Sequence, residues 1–181
     1  MFFGIYIKFF TIRDLSLYVI LILISGIFIL LLIGKIIEKF GYNDNMVNAM
    51  RKHDVINAFL NQNSITMIFF FFSIIMIIEE LVFRYYLIGF LFETLKMNII
   101  KVIFISSSIF SLYHIHTWFS YKNLAILAIN IVYPFLLGLF ISFIFLKIGI
   151  VPCILIHYFV VLFLYYSIYR RYYKKKQEIK R

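Results

Sequence analysis

The chain has 181 residues, of which 64% are hydrophobic and 14% charged, and its mean hydropathy is +0.99. Soluble domains are about half apolar and one quarter charged, so this balance excludes a water-soluble fold and, at roughly 20 apolar residues per membrane crossing, leaves no room for a large soluble module. The formal net charge of +10 excludes nothing by its size, but seven of the 18 Lys and Arg residues lie beyond residue 169, the pattern of a membrane-flanking cluster that meets anionic lipid head groups rather than of a nucleic-acid surface.

The first span is read at residues 15–34, LSLYVILILISGIFILLLIG, and ends at Lys35, Glu38 and Lys39. It is too long for the core of a cleavable signal peptide, so it reads as a retained helix. A polar stretch to about residue 63 follows, with Arg51, Lys52, His53 and Asp54, and has room for a short interfacial helix. A second apolar stretch, 65–95, is interrupted by Glu79, Glu80 and Arg84. The third span is expected from Asn98 to Ile115, with Ser106, Ser107 and Ser108 as small residues that let helices approach. The fourth covers 124–146 and contains Asn130 and Pro134, the proline implying a kink; the fifth covers 148–168, with Pro152 in its first turn, where proline is tolerated.

The expected architecture is therefore all-α: a polytopic integral membrane bundle of about five transmembrane helices, or five to eight helices when interfacial ones are included. Its parts are an N-terminal helix and polar loop (1–63), a core (64–169) and a basic tail (170–181). With the tail in the cytoplasm, Lys35, Lys39, Arg51, Lys52, Lys122 and the seven tail cations fall inside, against Lys8, Arg13, Lys96, Lys101 and Lys147 outside, which satisfies the positive-inside rule. Cys153 is the single cysteine, so no internal disulfide is available.

Ionisable groups inside a span cost a few kcal/mol even on the most lenient scale, so each needs a partner or a wet cavity. Glu80 and Arg84 are four residues apart and share a helix face, which allows an ion pair; Glu79 points about 100° away and has no such neighbour. Its companions must come from other helices, and His114 and His157 are the candidates. A carboxylate and imidazoles converging in a low-dielectric pocket can activate a water. A polar core that fixes helix register, and an ion or proton pathway, remain the competing readings at this level.

The run Glu79-Glu80-Leu-Val-Phe-Arg84 resembles the EExxxR motif, and Phe110-Ser-Leu-Tyr-His114 the FxxxH motif, of the CPBP intramembrane proteases, a family that includes the CAAX prenyl endopeptidases and bacterial proteins linked to bacteriocin processing and self-immunity. The resemblance spans about residues 65–168, with His157 in the place of the third-motif histidine. It implies that Glu79 is the general base and that His114 holds and polarises the attacking water. Glu80 and Arg84 would orient the site, and His157 would help stabilise the oxyanion. Where the family usually has Asn or Asp four residues after that histidine, this chain has Val161, so Asn130, a backbone group or a water is the candidate substitute donor.

The cofactor expectation is none or zinc. Glu79, His114 and His157 are the candidate ligands if a metal is bound, while the HExxH signature is absent and His114 and His116, two apart on a helix, would face opposite sides. The expected partners are a peptide or membrane-protein substrate and membrane lipids, with no nucleic acid. The expected location is the plasma membrane of a bacterium, where an unmodified peptide is the natural substrate. The alternative function is a weak or inactive membrane partner such as a bacteriocin self-immunity protein. His53 reads as a solvated loop residue, His116 as an interface marker beside Trp118, Tyr165, Tyr166, Tyr169, Tyr172 and Tyr173 as interfacial anchors, and Asn130 otherwise as a helix–helix hydrogen-bonding residue.

Overall fold

The structure is a computed structural model that describes residues 16–43, 46 and 66–180, with side chains described through Arg171 apart from Met67 and Ile68. The expected polar loop, including His53, lies outside the described residues. Helix α1 spans Leu17–Ile36 and is prolonged by a π-helical turn, Ile37–Gly41. The stretch carrying the glutamates is a helical rod in which α2, Phe72–Glu80, is flanked by π-helical segments Met67–Phe71, Leu81–Ile88 and Phe90–Thr94. Helix α3 spans Ile99–Tyr113, the short α4 His116–Tyr121, α5 Leu124–Lys147 and α6 Ile150–Lys180. No strand occurs among the described residues.

Local chemistry sets several of these boundaries. Asn98 caps α3 by accepting from the Ile100 N–H at 2.9 Å, and Asn123 caps α5 by accepting from Ala125 and Ile126. Lys122 ends α4 in the left-handed conformation, and Gly149, at φ 113°, makes the reversal between α5 and α6, where a side chain would be strained. Pro134 lies inside α5 without ending it. The basic tail is not a separate arm: α6 runs on through it to Lys180.

Among the described residues, four helical stretches are long and apolar enough to cross a membrane: Leu17–Gly41, Ile99–Tyr121, Leu124–Lys147 and Ile150–Arg171. The rod 67–94 stands among them, and its charged residues Glu79, Glu80 and Arg84 are buried, while Glu93 near its end is half-buried. The outer surface is apolar, with Leu17 72%, Phe28 67% and Ile100 74% exposed. In water such a surface would be an aggregation liability; facing lipid it needs no cover. The chain is a helical membrane bundle.

The tightest seam joins α3 to α5. A Cβ built on Gly138 would lie 3.1 Å from the Ser107 Cβ and 3.2 Å from its Cα, so a glycine is needed where the two backbones approach. Ser111 Oγ donates across the same seam to the Ile131 carbonyl at 2.6 Å, and Ser106 Oγ donates to the Phe83 carbonyl at 2.8 Å. These bonds hold α3 against both α5 and the π-helical segment bearing Arg84. The main core is formed by Leu137, Ile141, Ile144 and Phe145 of α5 with Ile88, Val102 and Ile150. At one end of the bundle Tyr42, Ile126 and Ile168 form a smaller cluster, and Arg171 donates to the Glu38 carbonyl, which ties α6 to the end of α1.

Candidate active site

The two glutamates stand at the end of α2, where α-helical winding gives way to the π-helical segment Leu81–Ile88. Such π windings are rare and recur at functional sites. Glu80 and Arg84 are each 0% exposed, and the Arg84 Nη1 lies 3.3 Å from Glu80 Oε1, the ion pair expected from their spacing. The opposite side of the guanidinium rests on an aromatic ring, with Arg84 Cζ 4.1 Å from the Phe110 centroid, a cation–π contact that is worth about 2 kcal/mol when desolvated.

Glu80 does more than neutralise Arg84. The His157 Nδ1 lies 2.7 Å from the same Oε1, the length of a charge-assisted hydrogen bond in which Nδ1–H donates. That bond orients the imidazole and places its other nitrogen, Nε2, 3.8 Å from Glu79 Oε2. His157 is therefore clamped between the two carboxylates, an arrangement in which one acidic group sets the tautomer and orientation of a histidine whose far nitrogen faces the site. Glu79 is buried, and its Oε2 accepts no hydrogen bond from the described residues.

His114 reaches the same place from α3. It is the first residue past the helix, with φ −74° and ψ 0°, in the bridge region that active-site residues often occupy. Its Nδ1 donates to the Phe110 carbonyl at 2.9 Å, which leaves Nε2 as the acceptor. The Phe110 ring stands between the groups, edge-on to His114 at 5.0 Å and to His157 at 5.5 Å between centroids.

One cavity of about 310 Å³ brings these elements together, lined by Glu79, His114 and His157 along with Phe110, Asn130, Pro134 and Val161. Two sequence expectations need correction here. His116 also lines the cavity although it is two residues from His114; the chain breaks helix at His114 and Ile115, so the rule that such residues face opposite sides does not apply, and their rings lie 5.9 Å apart. Among the described residues Asn130 makes no bond to another helix: its Nδ2 donates to the Ile126 carbonyl at 3.0 Å within α5, which leaves the second amide N–H of a residue on the cavity wall.

Val161 lines the cavity without a polar group, as its identity requires. Among the described residues no three His, Cys, Asp or Glu side chains gather closely enough to hold a metal ion; zinc would need its N and O donors at about 2.0–2.2 Å from one point. The Nδ1 atoms of His157 and His114 are committed to Glu80 and to the Phe110 carbonyl, which leaves Nε2 of each uncommitted.

The linkage of Glu80 to His157 was outside the reach of sequence, because the partners are 77 residues apart. Phe110 was visible only as the first residue of a motif, and the contact of its ring with Arg84 and with both histidines comes from packing.

Residues 61–163, more than half of the chain, match the family of Rce1-like type II CAAX prenyl endopeptidases. The chain belongs to this family. The matched segment contains Glu79, Glu80, Arg84, Phe110, His114 and His157, so every group of the clamp described above falls within the family domain. The family is one of intramembrane endopeptidases, which agrees with the helical membrane bundle and with the CPBP-type resemblance of the two motifs. No curated protein and no solved structure is a significant match.

Proposed function

We propose that this Rce1-like chain is an intramembrane endopeptidase that hydrolyses a peptide bond of a membrane-associated peptide or protein with a water activated by glutamate and histidine. The observation that carries the reading is the convergence of Glu79, His114 and His157 on one cavity, with His157 held by Glu80. In this mechanism Glu79 takes a proton from a water that donates its other hydrogen bond to His114 Nε2. The water oxygen attacks the carbonyl carbon, the carbon–oxygen double bond becomes an oxyanion, and Glu79 returns its proton to the departing amine as the carbon–nitrogen bond breaks. Charge on the oxyanion is met by the free Asn130 N–H and by His157 when its Nε2 also carries a proton.

Glu80 and Arg84 are positioning residues in this scheme: the carboxylate aims His157, and the guanidinium balances the carboxylate. No metal enters it, and zinc is left without a role. The substrate class follows from the mostly apolar walls of the cavity, which suit a peptide or membrane-protein segment; for a bacterial source this is an unmodified peptide in the plasma membrane. The end of the bundle with Arg170 and Arg171 faces anionic lipid, on the cytoplasmic side by the positive-inside rule.

The test is cleavage of a membrane-peptide panel by the full chain in nanodiscs. Cleavage abolished by both Glu79→Gln and His114→Ala supports the mechanism; cleavage that survives both variants eliminates it. Val161 on the cavity wall favours a second reading, a catalytically inactive partner such as a self-immunity protein. That reading requires a biological effect that Glu79→Gln leaves intact.

A further inference from the structure

The cavity is not electrically neutral in its composition. Among the described residues no Lys or Arg lines the cavity, whereas two acidic residues, Glu79 and Glu38, do. Glu38 lies on the π-helical turn that prolongs α1, at the end of the bundle where Tyr42 and Ile168 meet. It is half-buried.

Among the described residues, Lys35 and Lys39 lie beside Glu38 in the chain and Arg171 meets its backbone, and each of the three has another contact. The Lys35 Nζ lies over the Phe163 ring at 5.8 Å and the Lys39 Nζ over the Phe40 ring at 5.0 Å. Arg171 donates to the backbone carbonyl of Glu38 rather than to its carboxylate. Among the described residues the carboxylate forms no ion pair within 4.0 Å. Lys35, three residues before Glu38, is at a spacing that allows an ion pair, which does not form. Glu38 lines the cavity together with Ile37, Ile129 and Ile168.

We propose that Glu38 is a specificity residue that takes the cationic side chain of a Lys or Arg in the peptide substrate, while apolar neighbours of that residue fill the walls between Glu38 and Glu79. The occupant this selects is a cationic, otherwise apolar peptide lying at the membrane surface. An ammonium on the peptide is favoured over one on a lipid head group, because the apolar walls continue inward to the reacting groups.

This inference rests on the cavity being the substrate site, and its test separates the two. The full chain carrying Glu79→Gln is placed in nanodiscs of phosphatidylcholine alone, which carry no net charge and no primary amine. Binding is measured for labelled peptides with one apolar core flanked by Arg, Gln or Glu. The Arg-flanked peptide binds about tenfold tighter than the Gln-flanked one, a factor in keeping with a charge-assisted contact at a half-exposed site. Adding Glu38→Gln brings that ratio to about one, and Glu38→Lys shifts preference toward the Glu-flanked peptide.

Equal binding of the Arg and Gln peptides, or an Arg preference that persists in Glu38→Gln, overturns the proposal. The same peptides given to the chain with Glu79 intact report on hydrolysis independently. Selective binding without cleavage supports Glu38 and sinks the peptidase reading, whereas cleavage without a Glu38-dependent preference sinks Glu38 alone.

Discussion

Replacing Glu80 by Gln removes one negative charge from a fully buried pair while nearly keeping its volume, and the structure specifies two separate consequences. The first is energetic. Arg84 is left as a buried guanidinium whose remaining close neighbour is the face of Phe110 at 4.1 Å, and breaking a buried ion pair by removing one partner costs about 3–5 kcal/mol. The second concerns His157, whose Nδ1–H loses its ionised acceptor at 2.7 Å. A hydrogen bond to a charged group contributes about 1.5–3 kcal/mol, but the two losses share one oxygen, Oε1, and do not add.

The expected destabilisation of Glu80→Gln is therefore about 3–5 kcal/mol in all, read by reversible unfolding of the full chain in mixed micelles. The double variant Glu80→Gln/Arg84→Met removes both charges and regains most of that loss, ending within about 1–2 kcal/mol of the unmodified chain. Cleavage stays low in the double variant, because the neutral amide oxygen at position 80 is a weaker acceptor for the His157 Nδ1–H than the carboxylate. A single variant that loses less than 1 kcal/mol, or a double variant that regains both stability and cleavage, refutes the assignment of Glu80 to both partners.

The remaining outcomes concern the chemistry. Glu79→Gln lowers cleavage by about 10²–10⁴-fold with little loss of stability, since Glu79 Oε2 accepts no hydrogen bond from the described residues; a matching collapse in unfolding midpoint would mean that Glu79 is structural. Asn130→Ala lowers kcat by about 10²–10³-fold if its free N–H meets the oxyanion, with KM nearly unchanged, and an effect on KM alone would move Asn130 into substrate binding. Chelator treatment followed by exhaustive dialysis leaves cleavage unchanged, and activity that disappears and returns with zinc would require a metal site the described residues do not form.

Much of the bundle was legible because hydropathy is a local property. Spans expected at 15–34, 98–115 and 124–146 correspond to helices Leu17–Ile36, Ile99–Tyr113 and Leu124–Lys147, each ending near the first capping residue or charge. The Glu80–Arg84 pair was equally legible, since spacing along one helix decides it. Geometry that depends on where a helix stops was not. His114 and His116 line one cavity because the helix breaks between them, and Asn130 turns back on Ile126 of its own helix. The family match rests on sequence, and the segment it covers contains Glu79, Glu80, Arg84, His114 and His157.

By itself the sequence determined that the chain lives in a membrane as a set of helices, that Glu79 has no partner one turn away, and to which family the chain belongs. The tertiary structure alone decided that His157 is shared between the two glutamates, that the Phe110 ring touches Arg84 and both histidines, and that Glu38 lines the same cavity. The physical reason is that periodicity reports which residues share a face of one helix, whereas contacts between helices follow from close approaches such as Ser107 against Gly138 and from changes of winding such as the one after Glu80.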